Sequence, residues 1–250
     1  YGSFVDSIPV IYVSGQPKTS QLVQSTGLPL RQYGDQEFDK IIELVAPITK
    51  HAIMLSKKDD IQAELRKAHL IATSGRPGPV WIDIPMDVQA EPYRPKYTMQ
   101  DIISDKSVDL VENNPTSGQV TGVINALMAA RRPLIYAGSG IRSSSSHGLF
   151  AELIDLLNIP VVTAWNAHDV IASDNELFVG RPGLRGERCG NWITHSADCI
   201  IFLGEHLTQR QIGYQSGDYS PDSFKVMVVD DINEAIKPNL NIDMVIFAGL

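Results

Sequence analysis

The feature that most constrains this chain is a set of short apolar runs with little polar alternation. They are "IPVIYV" from Ile8, "PVWIDIP" from Pro79, "PLIYAG" from Pro133, "IPVVTA" from Ile159, "DCIIFLG" from Asp198, "KVMVVDD" from Lys225 and "MVIFAG" from Met244. A strand that is apolar on both faces has to be covered on both faces, which is the habit of parallel sheets held between helix layers. The first run is therefore expected to be buried, with neighbours on either side. Helical segments alternate with the runs. "DQEFDKIIELVAP" places Phe38, Ile41, Ile42 and Val45 at helical spacing and ends at Pro47. "KKDDIQAELRKAHLIATSG" sets Ile61, Leu65, Ala68 and Ala72 on one face, and Gly75 stands where a helix stop needs a positive φ. "SGQVTGVINALMAARR", "HGLFAELIDLLN" and "GERCGNWITHSA" continue the pattern. This order predicts an α/β fold of two doubly wound, mainly parallel sheets.

The two series are separated by residues 91–115, which hold three prolines and scattered charge with no sustained period, the texture of a Pro-rich linker. Residues 1–90 and 116–250 are thus predicted as two domains. Both ends of the chain fall in or beside apolar runs, so both are expected to be cut.

Charge and cysteine content exclude some partners. A formal charge of −8 works against nucleic acid and anionic lipid, and no apolar stretch approaches the ~20 residues of a membrane span. Cys189 and Cys199 form neither a C-x-x-C nor a zinc set. Both read as structural thiols of a reducing, cytoplasmic protein. The six histidines lack metal-binding spacing, so no metal site is expected from these residues.

Three stretches could carry chemistry. "YAGSGIRSSSS" runs from a strand into Gly138, Ser139 and Gly140, where small residues let backbone amides approach a phosphate. As a nicotinamide fingerprint it is incomplete: Ser143 occupies the third glycine position, and "VVTAWN" ends in Trp165 and Asn166 rather than an acid. A generic turn and a nucleotide or flavin-adenine site both remain open. "FVGRPGLRGERCGN" gathers Arg181, Arg185 and Arg188 among glycines, suited to a diphosphate or carboxylate or simply to solvent. It ends an unpatterned stretch that begins at His168. Gln36 and Glu37 sit at a helix start in "LRQYGDQEFDK", where spacing alone makes Glu37 a cap.

Read together, "VDSIPVIYVSGQ", "GDQEFDKIIELVAPITKHA", "LRKAHLIATSGRPGPVWIDIPMDVQ", "RRPLIYAGSGIR", "HSADCIIFLGEHLTQRQIGY" and "KVMVVDDINEAIKP" resemble the acetolactate synthase-like thiamine diphosphate enzymes, in the same order and over nearly the whole chain. The resemblance implies that residues 1–90 are the C-terminal half of a pyrimidine-binding domain and residues 116–250 a central Rossmann-like domain. It implies a 2-oxo acid carboligase that, at full length, uses thiamine diphosphate and Mg²⁺ shared across a dimer interface, in a homodimer or homotetramer. The activating Glu and the Gly-Asp-Gly…Asn-Asn motif of such enzymes have no counterpart in these 250 residues, so the chain alone is expected to be inactive.

By the same resemblance Gln36 and Glu37 lie near the reacting centre, with Asp35 standing where the family has Phe. Members that bind FAD place it against positions matching Gly138, Ser139 and Gly140, then Thr163, Ala164 and Trp165, then Arg181, Gly183 and Gly186, and finally Asp230. His206 stands where those members carry Arg. A simple 2-oxo acid decarboxylase or lyase, and a non-catalytic nucleotide-binding or assembly module, are the alternative readings.

Overall fold

A computed structural model describes the chain apart from residues 34, 35, 38, 58, 59, 97, 99–113 and 231–234, and describes residues 32, 33, 36 and 37 by backbone alone. The chain divides into two compact units, Tyr1–Leu110 and Val111–Leu250. Most of the Pro-rich stretch between the two series lies outside the described residues.

In the first unit, strand β1 (Ile11–Gln16) is followed by the two-residue strands β2 (Gln32–Tyr33) and β3 (Gln36–Glu37), which pair antiparallel. Helix α1 (Ile41–Val45), strand β4 (His51–Met54), helix α2 (Ile61–Thr73) and strand β5 (Val80–Pro85) complete it. The main sheet is parallel, in the order β1-β5-β4, with Val80 opposite both Ile11 and His51. Helix α2 begins because the Asp60 carboxylate accepts the amides of Gln62 and Ala63, two donors that have no partner in a first turn. It ends before Gly75, at φ +52°. Ala68 and Ala72 face Val80 and Ile82, and small side chains there let the helix lie close to the sheet.

Two expectations fail in this unit. The first strand is not buried: Val13 is 59% exposed, and Ile11 and Tyr12 are also open. Among the described residues β1 is the edge of the sheet with β5 as its one neighbour, and its side chains are less covered than those of β5. The helix expected over residues 35–47 is confined to Ile41–Val45, because Gln36 and Glu37 are already engaged in the β2–β3 ladder.

The second unit is built on helix α3 (Ser117–Ala129), β6 (Pro133–Ala137), α4 (Gly140–Ser143), α5 (His147–Leu157), β7 (Val161–Thr163) and β8 (Phe178–Gly180). It continues through α6 (Arg188–Ser196), β9 (Cys199–Leu203), α7 (Gln209–Ile212), β10 (Phe224–Val229) and β11 (Met244–Phe247). All six strands are parallel, in the order β11-β10-β9-β6-β7-β8. β6 and β9 lie at the centre, which is why "PLIYA" and "CIIFL" are nearly unbroken apolar runs: Leu134, Tyr136, Ile200 and Phe202 are all fully buried. α3 is opened by a capping box, in which Thr116 accepts the Gln119 amide and Gln119 accepts the Thr116 amide. The stretch after His168 is not wholly irregular, since it contains β8. Three residues, one of them Gly180 at φ +124°, are too few for a strand pattern to register.

Candidate functional site

Strands β6, β7 and β8 run outward to one side of the second sheet, and β9, β10 and β11 to the other. The order reverses between β6 and β9, and in open α/β sheets the ligand crevice forms at the carboxyl ends of the strands at such a point. Gly138, Ser139 and Gly140 leave β6 there. Thr163 ends β7 and Ala164 and Trp165 leave it, Arg181 to Gly186 follow β8, and Asp230 follows β10. The fold thus sets every central-domain candidate at a strand's carboxyl end.

The glycines, however, serve the protein itself. The Gly138 amide donates to the Leu203 carbonyl at 2.8 Å, and the Gly140 amide to the Gly204 carbonyl at 2.9 Å. A Cβ on Gly138 would lie 2.0 Å from the Gly204 oxygen, and one on Gly140 would lie 2.6 Å from the Gly204 Cα. These residues are glycine so that the turn after β6 can press against the turn after β9. Their amides are spent on carbonyls, as in a packed turn between two strands. Ser139 Oγ meets the Asn166 side-chain amide at 3.3 Å, while Arg142 pairs with Asp169 and donates to the Asn166 carbonyl.

The arginine loop is wound just as tightly. The Gly183 amide donates to Asn191 Oδ1, Asn191 Nδ2 returns a bond to the Gly183 carbonyl, and the Gly186 amide closes on Gly183. Gly183 has φ +138°, and a Cβ on Gly186 would come within 2.4 Å of the Arg181 carbonyl. Arg181 pairs with Glu187 at 3.0 Å and lies over the Phe178 ring. Thr163 and Ala164 are fully buried, and the Thr163 hydroxyl makes no hydrogen bond among the described residues, whereas Trp165 is 57% exposed. Asp230 is exposed, and the second Asp of "VVDD" falls outside the described residues. Arg181's guanidinium and both glycine amides already have partners, so these residues do not form an open diphosphate cradle.

Gln36 and Glu37 pair with Tyr33 and Gln32 in β3 rather than capping a helix. Among the described residues no group of three His, Cys, Asp or Glu could hold a metal. Of the thiols, Cys199 is buried as expected and Cys189 is exposed on α6, contrary to its structural reading.

Two polar constellations were not visible in the sequence. In the first unit Asp83, fully buried in β5, accepts the Ser14 hydroxyl at 2.6 Å, and Ser14 in turn accepts the Trp81 indole N–H. In the second, Glu205 lies buried at the switch point. Its Oε1 accepts the amides of His206 and Leu207 and the side-chain amide of Gln211, at 2.8, 3.1 and 2.7 Å. Its Oε2 has no partner, nor do the hydroxyls of Tyr136 and Tyr219 among the described residues. Burial pushes the Glu205 carboxyl above the usual range against the pull of those three bonds. Burial also raises Tyr136 and Tyr219, and the nearby Glu205 charge adds to both. Only the "GEH" turn hints at this in the sequence, because Tyr136 and Tyr219 approach it from distant segments.

With this architecture in place, comparison with known proteins identifies the class. Residues 120–250 match the family described as thiamine pyrophosphate enzyme, central domain. The chain belongs to the thiamine pyrophosphate-dependent enzymes, and within them to the acetolactate synthase-like group. It is 30% identical over 83% of its length to the acetolactate synthase isozyme 3 large subunit of Escherichia coli. It is also 30% identical, over 96% of its length, to the acetolactate synthase large subunit of Buchnera aphidicola from Acyrthosiphon pisum. A probable acetolactate synthase large subunit of Methanocaldococcus jannaschii is 30% identical over 97% of the chain. The chain spans 34%, 41% and 39% of these relatives' lengths. No helix among the described residues is long and apolar enough to cross a membrane.

Proposed function

We propose that this chain is part of a thiamine diphosphate-dependent carboligase, which decarboxylates pyruvate or a related 2-oxo acid and joins the acyl unit to a second carbonyl. The observation that carries this reading is similarity to acetolactate synthase large subunits across both compact units, rather than the central unit alone. Thiamine diphosphate, held with Mg²⁺, provides the electron sink for the carbanion left by loss of CO₂. In this reading residues 1–90 are the C-terminal half of the pyrimidine-binding domain, and Gln36 and Glu37 lie near the reacting centre. The central unit acts as a rigid spacer whose parallel sheet fixes the crevice at the β6–β9 reversal. The protein works in the cytoplasm as a homodimer or homotetramer, since the cofactor of such enzymes is shared between subunits.

Flavin is the finer question. Exposed Trp165 and the unpartnered Thr163 hydroxyl support a ligand over the carboxyl ends of the strands, while the occupied glycine amides favour a central domain that keeps its fold without FAD. Titration of the chain with FAD, read by flavin fluorescence, should be flat up to millimolar ligand. Saturation in the micromolar range would restore the flavin assignment.

Product analysis separates the carboligase from a simple decarboxylase or lyase. Pyruvate turned over by the protein carrying this sequence should give a carbon–carbon coupled hydroxy-keto acid. Free acetaldehyde as the main product would favour the decarboxylase.

A further inference from the structure

A second concavity lies at the opposite end of the central strands. Its floor is Pro133 at the start of β6, Pro160 just before β7, and Val179 of β8. One wall is helix α6, which presents Trp192 and Ile193. The volume is about 930 Å³, at the upper end of what small-ligand sites enclose and far more than a 2-oxo acid fills. Trp192 is 76% exposed, an unusual degree of exposure for an indole.

Three guanidinium-bearing residues, Arg131, Arg132 and Arg188, border this apolar floor, and no carboxylate lines it among the described residues. On a chain of net charge −8 that is a local inversion of sign. The two adjacent arginines are held in place: their backbone amides donate to the Asp198 carboxylate at 3.0 and 2.9 Å, and Arg132 Nε donates to the Ser196 carbonyl. The guanidiniums of Arg131 and Arg188 make no ion pair among the described residues.

We propose that this groove binds a planar aromatic anion, a ring system that packs against Trp192 and the proline floor and carries a carboxylate, sulfonate or phosphate that meets Arg131 and Arg188. Guanidinium suits both parts of such a ligand, because it pairs with the acid group in a fork and stacks on ring faces. Cys189 lines the same groove and is exposed, whereas Cys199 is buried, so the chain carries its own reporter thiol.

The test uses the full chain with 1-anilinonaphthalene-8-sulfonate as the aromatic anion, N-phenyl-1-naphthylamine as its uncharged counterpart, and neutral iodoacetamide as the thiol reagent. The sulfonate should saturate at one site, slow alkylation of Cys189 several-fold, and outcompete the uncharged compound. The double substitution Arg131→Gln, Arg188→Gln should weaken sulfonate binding by at least about tenfold, the loss expected for even one charge-assisted bond. Equal binding of the uncharged compound, no protection of Cys189 in the unsubstituted chain, or unchanged affinity in a folded double variant would each overturn the proposal. So would sedimentation showing a dimer that Trp192→Ala dissociates, because the groove would then belong to a second copy.

Discussion

Removing the Glu205 side chain should be among the most damaging single changes to the central unit, and replacing it by glutamine among the most informative. In Glu205→Ala the His206 and Leu207 amides and the Gln211 side-chain amide all lose their shared acceptor inside the core. Each buried donor left unsatisfied costs about 1–3 kcal/mol, so the loss should be about 3–9 kcal/mol before any cavity effect. Glu205→Gln keeps an acceptor oxygen for those three donors and adds an N–H₂ beside the unpartnered Tyr136 and Tyr219 hydroxyls. It should cost little at any pH.

The two forms should separate in their pH dependence. The folded carboxyl is raised above its ordinary value by burial, so the folded state binds the proton more tightly than the unfolded chain. Stability from this group is fully present below the ordinary glutamate value near 4.3, and is lost as pH rises through the folded value, with a slope approaching about 1.4 kcal/mol per pH unit in between. The glutamine variant has no such proton and should lack that slope, gaining on the wild type as pH rises. Urea unfolding followed by circular dichroism, with hydrogen exchange at the 204–212 segment to report on the central unit, measures both effects. An alanine variant within 1 kcal/mol of wild type, or a glutamine variant with the wild-type pH slope, would refute the reasoning.

Glycine packing gives a paired test. Gly138→Ala forces a Cβ to within 2.0 Å of the Gly204 oxygen and should unfold or strongly destabilise the central unit, while Gly148→Ala meets nothing within 4 Å in helix α5 and should stabilise by up to about 1 kcal/mol in melting experiments. Thr163→Val replaces a buried hydroxyl that has no partner with a group of the same shape. It should raise stability by about 1 kcal/mol, and a loss instead would mean that the hydroxyl is satisfied in solution. Thiol titration of the native chain should show one fast-reacting cysteine, Cys189. Cys199, whose thiol burial pushes up and Asp198 raises further, should react only on unfolding.

The continuous apolar runs at Pro133, Cys199 and Phe224 were sufficient to predict a parallel sheet, because burial on both faces leaves a strong and local mark. What the runs could not reveal is which strand lies at an edge. "IPVIYV" reads like "CIIFL", yet its surroundings depend on neighbours that residue order does not name, and β1 is open where β9 is sealed. The short strand at Phe178–Gly180 escaped because three residues carry no period.

The candidate site was legible in position but not in role. Gly138, Gly140, Gly183 and Gly186 mark sharp turns at strand ends, as small residues should, yet phosphate approach and backbone-on-backbone packing ask for the same residue type. For Gly138 and Gly140 the partners are the carbonyls of Leu203 and Gly204, more than sixty residues away in the chain, and for Gly183 and Gly186 they are Asn191 Oδ1 and the Gly183 carbonyl. Glu205, Tyr136 and Tyr219 were missed for the same reason: a buried polar cluster assembled from distant segments leaves no spacing to read.

The central claim is that this sequence serves thiamine diphosphate chemistry, and release of CO₂ from labelled pyruvate by the protein that carries it, as its own cells make it, tests that most directly. Release should vanish on removal of thiamine diphosphate and Mg²⁺ and return only when both are restored. Release that persists without the cofactor, or none under any combination of the two, would contradict that claim.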